Sequence, residues 1–329
     1  MAIRVVCYGL GPIGIGIARL ACARSGVRVI GAIDIDPQKA GRDLGELLGR
    51  EAMGIVVSAD AVETLQRVRP DIVLHATQSS LAAVTSQLQE CIAAGADVIS
   101  TCEELAYPWS AHPQLAADLD AAARAAGVTL LGAGVNPGYA MDALPIMLTA
   151  ACAEVRAVRV LRIVDAAQRR EPLQRKIGAG LTTDEFAQRV REGTVRHVGL
   201  PESMHMIAAA LGWRLDAGDD TIMPVIAERA ITTEHVSVEA GQVAGVHQIV
   251  RGYIGEREVI TLELQMYVGA PDPQDTVAID GEPPLRMTIA GGIHGDIATA
   301  ALVVNAIPSI RQARPGLLSM TDVPLVHYW

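Results

Sequence analysis

The stretch IRVVCYGLGPIG, residues 3–14, decides the fold of the first half of this chain. Its apolar run, Ile3 to Tyr8, predicts a buried strand that leads directly into the turn Gly9-x-Gly11-x-x-Gly14. In such a turn the first glycine permits a sharp change of direction, the second lets the backbone approach a pyrophosphate, and the third lets a helix pack closely on the strand. The stretch therefore predicts a strand, a phosphate-binding turn and a helix, in that order.

The helix that follows, predicted over residues 12–24, supplies the charge that such a turn needs. Pro12 and Ile13 stand in its first turn, where the positive end of the helix dipole and backbone N–H groups attract phosphate. Asp34 lies 20 residues beyond Gly14 and ends the second predicted strand, where a carboxylate can accept both ribose hydroxyls. Strand, turn, helix and acid together predict a dinucleotide cofactor, NAD or NADP.

The choice between the two cofactors stays open in the sequence. Asp34 favours a free 2′-hydroxyl and so NAD, and Asp36 offers a second carboxylate for the same role. Lys39 and Arg42 follow, and they are suited either to a 2′-phosphate or to a solvated helix face.

Short apolar strands and helical segments alternate through the first ~130 residues, which is typical of a doubly wound parallel sheet. Beyond the first strand and helix, strands are predicted at 27–34, 55–57, 71–76, 97–101 and 128–132, and helices at 61–68, 81–94 and 114–126. We interpret residues 1–136 as a dinucleotide-binding Rossmann domain, so the fold class is α/β.

The pattern changes after Asn136. Strands are predicted at 155–163, 246–253, 259–268 and 285–290, and helices at 182–191 and 202–211, with a hairpin turn at 255–257. We interpret residues 137–290 as a mixed α/β domain with an open sheet that serves substrate binding and dimerisation. Residues 291–329, which begin with a helical run at 294–312, are predicted to return to the first domain.

Two polar clusters follow neighbouring strands of the predicted parallel sheet. Ala76, Thr77 and Ser79 come after one strand, and Thr101 and Cys102 come after the next. Ligands of open α/β sheets bind beyond the carboxyl ends of the strands. Both clusters are therefore predicted to contact the nicotinamide ribose and the substrate.

Glu103 and Glu104 are adjacent in the second of these loops, among the apolar and aromatic residues Leu105, Tyr107 and Trp109. A carboxylate in such surroundings can have its pKa raised and act as a general base, and it also attracts an ammonium group. The alternative is an acid pair that only complements a helix dipole. The position at a strand end favours a catalytic role for at least one of the two.

Other candidates are less specific. Arg175 and Lys176 precede a glycine-flanked turn, which is suited either to an anion such as a carboxylate or to a plain helix entry. His294 opens the last helical run, where it either lines the cofactor cleft or caps the helix. The sequence has no HExxH and no cysteine–histidine cluster, so no metal is expected.

Composition limits the partners. The 329 residues carry a net charge of −10, which argues against nucleic acid or an anionic membrane as the main partner. The five cysteines are scattered without a CxxC, as expected for reduced thiols in the cytoplasm. No signal peptide and no apolar run of membrane-spanning length is evident.

Three strings carry a resemblance to a known family. STCEELAYP (Ser100 to Pro108), GAGVNPGYAMD (Gly132 to Asp142) and RKIGAGLTTDEF (Arg175 to Phe186) resemble the 2,4-diaminopentanoate dehydrogenase family. That family includes the native amine dehydrogenases and is related to dihydrodipicolinate reductase. The resemblance implies a homodimer and an NAD(P)-dependent oxidative deamination of an amine, which runs in reverse as reductive amination of a ketone with ammonia.

The resemblance also implies site residues. A glutamate just past the fifth strand would lie near the substrate nitrogen, which matches Glu104, with Glu103 as the alternative. The substrate pocket that it implies consists of Asn136, Tyr139, Met141, His294 and Thr299. The paired histidines of dihydrodipicolinate reductase are missing here, which argues against that activity.

We therefore expect an amine dehydrogenase in which Glu104 takes a proton from a substrate ammonium group. Two alternatives remain at this point: a reductase of cyclic imines or enamines, and a dinucleotide-binding protein without turnover. Dependence on ammonia separates the first alternative, and absence of any hydride transfer separates the second.

Overall fold

The structure is a computed structural model, and it describes residues 2–167, 169 and 171–329. Its strands are β1 (Ile3–Tyr8), β2 (Val27–Ile33), β3 (Val57–Ser58), β4 (Ile72–His75), β5 (Asp97–Ser100), β6 (Thr129–Gly132), β7 (Glu154–Asp165), β8 (Ala217–Ile226), β9 (Ile231–Thr232), β10 (Ser237–Val238), β11 (Val243–Ile254), β12 (Arg257–Tyr267), β13 (Gln274–Glu282), β14 (Leu285–Ala290) and β15 (Gly316–Leu318). Its α-helices are α1 (Pro12–Ala23), α2 (Leu44–Leu47), α3 (Ala61–Val68), α4 (Leu81–Ala93), α5 (Pro113–Ala126), α6 (Ala143–Thr149), α7 (Glu171–Lys176), α8 (Thr183–Arg191), α9 (Leu200–Ala210), α10 (Gly295–Asn305) and α11 (Ile307–Gln312).

The chain divides into two compact units. Unit 1 comprises the residues up to Tyr139 together with His294–Trp329, and unit 2 comprises Ala140–Ile293. Unit 1 is thus built from two separate segments of the chain. The functional roles that we assigned to the predicted segments stay predictions.

Within the described residues, unit 1 contains a seven-stranded sheet in the order β15-β6-β5-β4-β1-β2-β3. Every pairing in it is parallel. Its strands are apolar because helices cover both faces, and the central residues Val6, Val73 and Val98 have no solvent exposure. The predicted doubly wound sheet is confirmed.

The register of this sheet aligns the ends of its central strands. Tyr8 pairs with Ile33 and with His75, His75 pairs with Ser100, and Ser100 pairs with Gly132. These five residues therefore form one row across the sheet. Because the strands are parallel, the loops that follow all leave from the same edge.

Unit 2 contains a six-stranded sheet, within the described residues, in the order β14-β13-β7-β12-β11-β8. The β12–β7 pair is parallel and the others are antiparallel. The hairpin predicted at 255–257 is present between β11 and β12. The predicted α/β class with a mixed second sheet is confirmed.

Several local expectations were wrong. Strands β8 and β13 were not predicted. Arg175 and Lys176 end helix α7 and do not belong to a turn before the next helix. The predicted helical run at 294–312 is two helices, because Pro308 opens a new first turn in α11.

Candidate active site

The glycine turn after β1 has the geometry that the sequence predicts for a phosphate cradle. A Cβ on Gly9, where φ is +89°, would lie 2.4 Å from the Ala76 carbonyl oxygen. A Cβ on Gly14 would lie 1.9 Å from the Gly9 carbonyl oxygen. A Cβ on Gly11 would meet no atom within 4 Å. The turn is therefore closed at Gly9 and Gly14 and open at Gly11, beside the start of the helix.

Helix α1 begins at this open position. Gly11 is its N-cap, and no described side chain caps it. Pro12 occupies the first turn, which suits its fixed φ, and Ile13 follows. The N–H groups of a first helical turn have no partner within the helix, so they can donate to an anion. The residues present fit the pyrophosphate of a dinucleotide.

The carboxylate of Asp34 is held beside this turn. Its Oδ2 accepts the N–H of Leu10 at 2.7 Å, and its Oδ1 accepts the N–H of Asp36 at 2.8 Å. Asp34 is 9% exposed. These bonds fix the acid at the end of β2, where the ribose of a dinucleotide is expected.

Lys39 forms ion pairs with Asp34 and Asp36, so its ammonium group is not available for a phosphate. Its Nζ lies 3.3 Å from Asp34 Oδ2 and 3.1 Å from Asp36 Oδ2. Burial lowers the pKa of Lys39, but the hydrogen bonds with Asp36 and Asp34 outweigh that effect and raise it. The pKa of Asp36 is lowered by the backbone N–H of Gln38 and then by Lys39. Two carboxylates and one ammonium leave this corner with net negative charge.

A buried network supports the loops after β4 and β5. His75 Nδ1 lies 2.8 Å from Ser100 Oγ, and His75 Nε2 lies 2.8 Å from Gln87 Oε1. Thr77 Oγ1 donates to the same Gln87 oxygen at 2.7 Å, and the N–H of Cys102 donates to Ser100 Oγ at 3.1 Å. Burial lowers the pKa of His75 to about 4, so the ring is neutral. This uncharged network connects two of the predicted cofactor-binding loops.

The other predicted cofactor contacts lie at the same edge of the sheet. Ala76 and Thr101 each donate a backbone N–H to the strand row, to Tyr8 at 2.7 Å and to His75 at 2.9 Å. Ser79 accepts the Cys102 thiol at 3.2 Å through its carbonyl oxygen. Burial raises the pKa of the Cys102 thiol to about 12, so it does not act as a thiolate.

Glu103 and Glu104 form a short 3-10 helix with Leu105 directly after this edge. Both are half-buried, and the Glu104 side chain is 23% exposed. Glu104 Oε2 accepts the N–H of Leu81 at 2.7 Å and lies 3.1 Å from His112 Nε2. The acid pair therefore does not turn outward to bulk solvent, and Glu104 is fixed in place.

The turn after β6 contains Asn136 and Tyr139 and contacts Thr299, all of which are predicted pocket residues. Asn136 is buried, and the preceding Val135 donates its N–H to Thr299 Oγ1 at 3.2 Å. Tyr139 follows and is half-buried. The His294 side chain is exposed and caps α10, because its Nδ1 accepts the N–H of Ile297 at 3.4 Å. Capping was the alternative interpretation of His294.

Two predicted pocket residues lie in unit 2. Met141 is fully buried. The Arg175 side chain is 67% exposed and pairs with Glu171 at 2.8 Å. Arg175 therefore does not meet the expectation of a buried cation that holds a substrate carboxylate.

Sequence reasoning missed His112 and Gln87. His112 follows Glu104 by eight residues, and no periodicity brings the two side chains together. His112 does precede Pro113 at a helix start, but that signal marks a helix boundary and not a site.

Within the described residues, no cluster of three or more metal-ligating side chains is present. None of the helices in the described part of the chain has both the length and the apolarity needed to cross a membrane.

Two family models match this chain. A family model described as the 2,4-diaminopentanoate dehydrogenase C-terminal domain matches residues 139–329, which is more than half of the chain. A model of the dihydrodipicolinate reductase N-terminus matches residues 3–102. The chain belongs to the 2,4-diaminopentanoate dehydrogenase family.

Individual relatives cover the chain nearly from end to end. A 2,4-diaminopentanoate dehydrogenase of Acetoanaerobium sticklandii is 31% identical over 98% of this chain and 94% of its own length. An amine dehydrogenase of Streptomyces virginiae is 25% identical over 98% and 96%, respectively. The solved amine dehydrogenase of Mycobacterium smegmatis is 30% identical, with a TM-score of 0.90 over 100% of this chain and 98% of that chain.

Membership confirms the predicted class of enzyme, an amine dehydrogenase that uses NAD or NADP. The structure of the relative at a TM-score of 0.90 also confirms the predicted fold. The role of each site residue is a separate matter and remains a proposal.

Proposed function

We propose that the chain oxidises a primary amine that carries no carboxylate, with NAD as the preferred cofactor and Glu104 as the general base. The reaction consumes the alkylammonium ion, the oxidised cofactor and water. It yields a ketone or aldehyde, ammonium, the reduced cofactor and one proton. The observation that carries the proposal is the fixed carboxylate of Glu104 at the sheet edge from which the glycine turn also leaves.

The protein's part in this reaction is mainly to orient charge. The Glu104 carboxylate accepts a proton from the substrate ammonium, so that the nitrogen lone pair can expel hydride from the adjacent carbon. As the iminium ion forms, the protonated Glu104 releases its proton to solvent water, and the restored carboxylate then stabilises the positive charge of the iminium ion while water adds to its carbon. When bound, the nicotinamide accepts the hydride. Loss of ammonia from the adduct completes the reaction.

The exposed position of Arg175 supports an amine without a carboxylate. A carboxylate in a substrate pocket is usually held by a buried cation, often through two parallel hydrogen bonds. Arg175 is 67% exposed and bound to Glu171, and Lys176 is exposed as well. Asn136, Tyr139 and Thr299 of unit 1 are the proposed substrate contacts, and Met141 and His294 stay predictions.

The corner at Asp34 supports NAD over NADP. A 2′-phosphate would meet the carboxylates of Asp34 and Asp36, while Lys39 is already bound to both. A free 2′-hydroxyl instead donates to such a carboxylate.

The test is a screen of amines and ketones with both cofactors. Plain alkyl amines and 2,4-diaminopentanoate are offered with NAD or NADP, and the matching ketones are offered with NADH or NADPH, with and without ammonium. We expect reduction of alkyl ketones only when ammonium is present, and faster turnover with NADH than with NADPH. A cyclic imine is offered as well, and its reduction without ammonium would instead favour the reductase alternative, whereas no turnover with any substrate would refute the proposal.

We propose further that the enzyme is a cytoplasmic homodimer acting on small molecules. The five cysteines are all free thiols in the structure, which suits a reducing compartment. Light scattering after size exclusion measures the mass of the assembly, and a mass equal to one chain of 34.7 kDa would contradict the dimer.

A further inference from the structure

The side chain that approaches Glu104 most directly is an imidazole. His112 stands immediately before α5, and its side chain is 27% exposed. Its Nε2 lies 3.1 Å from Glu104 Oε2, a normal distance for an N–H···O hydrogen bond. The His112 side chain does not cap α5, although it occupies the N-cap position. The imidazole therefore binds the acid and not its own helix.

A second donor approaches the same oxygen. The N–H of Leu81, the first residue of α4, donates to Glu104 Oε2 at 2.7 Å. The Glu104 backbone is tied as well, because its N–H donates to the Ser79 carbonyl oxygen at 3.2 Å. Two donors on one oxygen fix the plane of the carboxylate, since rotation about its last bond would break both contacts.

We propose that His112 is a positioning residue for amine oxidation, which holds Glu104 Oε2 together with the Leu81 N–H so that Oε1 receives the substrate proton. This inference rests on the proposed function. An oxygen that already accepts two N–H donors is a poor site for a further proton, because one of the two bonds must break first. Protonation of Oε1 leaves Oε2 as a carbonyl oxygen, which still accepts both donors. The carboxyl group therefore keeps its orientation throughout the proton transfer.

His112→Gln and His112→Asn separate this role from a structural one. Glutamine has one more methylene group than asparagine, so its amide nitrogen reaches the position of the imidazole Nε2. Asparagine falls short of Glu104, but it is among the most favourable N-cap residues for α5. If His112 only supported the helix, the asparagine variant would be the better replacement. If His112 positions Glu104, the glutamine variant is the better one.

The measurement is steady-state kinetics with NAD and the amine that the wild-type enzyme oxidises fastest in the screen. We expect kcat to fall roughly 10- to 100-fold for His112→Ala and His112→Asn, since small displacements of a catalytic group have effects of this size. We expect His112→Gln to recover most of the loss and the KM for NAD to stay unchanged in all three. His235→Ala, which removes an exposed histidine of unit 2, is the matched control.

A double-mutant comparison completes the test. In a Glu104→Gln background, His112→Ala is expected to cause little further loss, because both changes remove the same oriented carboxylate. A fully active, stable His112→Asn enzyme would overturn the positioning role, and so would equal activity of the asparagine and glutamine variants. These results differ from failure of the proposed function, in which the wild-type enzyme itself oxidises no amine.

Discussion

At the scale of single residues, the proposed chemistry depends on the oxygen atoms of Glu104. The segment that follows β4 holds the proposed base in position. The Leu81 N–H binds its carboxylate, and the Ser79 carbonyl oxygen binds its backbone N–H. Its neighbour Glu103 is also a half-buried glutamate. The chain therefore contains its own control for the catalytic assignment.

Replacement of Glu104 by glutamine is expected to stop turnover while cofactor binding persists. The amide keeps the size and shape of the side chain but cannot accept a proton, and general bases commonly contribute about 10²- to 10⁴-fold. Amine-dependent NADH formation and NADH fluorescence titration measure the two properties. Glu103→Gln is expected to retain most of the activity, and the reverse pattern would assign the base to Glu103.

The charge at Asp36 is expected to affect cofactor choice. Asp36→Ala removes one of the two acids that bind Lys39. An added 2′-phosphate would then meet less repulsion, so we expect roughly a fivefold gain in NADP use relative to NAD. The ratio of kcat/KM for the two cofactors is the measurement. Glu63→Ala, which breaks an exposed pair with Arg67, is expected to leave this ratio unchanged.

At the scale of elements, the turn between β1 and α1 separates folding from binding. Gly14→Ala places a Cβ 1.9 Å from a carbonyl oxygen, so we expect destabilisation of at least about 1–3 kcal/mol, as for other overpacked sites. Gly11→Ala places a Cβ in open space and is expected to leave the melting temperature nearly unchanged.

Although Gly11→Ala is expected to leave stability unchanged, it is expected to weaken NADH binding. The added methyl group occupies the space beside the helix start, and loss of one charge-assisted hydrogen bond there would weaken NADH binding roughly 10- to 100-fold. Thermal unfolding and fluorescence titration of the two variants test both statements. Tight NADH binding by Gly11→Ala would contradict the assignment of the phosphate site.

The network behind β4 and β5 predicts a dependence of stability on pH. Burial lowers the pKa of His75 from 6.5 to about 4 in the folded protein. Between these two values the unfolded chain binds a proton that the folded chain does not, so stability falls as the pH falls from 6.5 to 4. The full effect is on the order of 3 kcal/mol, since each unit of pKa corresponds to about 1.4 kcal/mol.

His75→Gln removes this titration and is expected to flatten the dependence. Urea unfolding at several pH values between 4 and 7 gives the free energy of unfolding for both proteins. His235→Gln changes an exposed histidine and should keep the wild-type slope. Parallel slopes for wild type and His75→Gln would show that the ring takes up a proton in the folded state.

The elements also show what the sequence predicts well. Strand β1, helix α3 and strand β14 have the predicted bounds, because their patterns are short, regular and limited by turns. Strand β8 escaped prediction because it is an edge strand that contains Pro224, and its burial does not alternate. The contact of His112 with Glu104 was not predicted, because tertiary packing and not local spacing brings the two side chains together.

At the scale of the whole molecule, the last residues of the chain stabilise unit 1. The Arg24 guanidinium lies 4.4 Å from the centre of the Tyr328 ring and 5.4 Å from that of Trp329. It also donates to the Asn305 side chain at 2.9 Å and to the Trp329 carbonyl oxygen. One arginine thus connects α1 with the tail that follows β15.

Arg24→Ala is expected to destabilise the protein by about 1–3 kcal/mol, the sum of a cation–π contact and charge-assisted hydrogen bonds. Differential scanning calorimetry measures the shift, and Arg28→Ala controls for the loss of one exposed positive charge. Equal shifts for the two variants would mean that the tail contributes little to stability.

The composition of unit 1 has a consequence for synthesis. Residues up to Tyr139 share their sheet with β15, which a ribosome produces about 180 residues later. Unit 2 is synthesised as one continuous segment, so it can fold while the sheet of unit 1 still lacks its edge strand β15. A nascent chain arrested before Gly316 should therefore resist protease within Ala140–Ile293 and remain cleavable in the segment up to Tyr139.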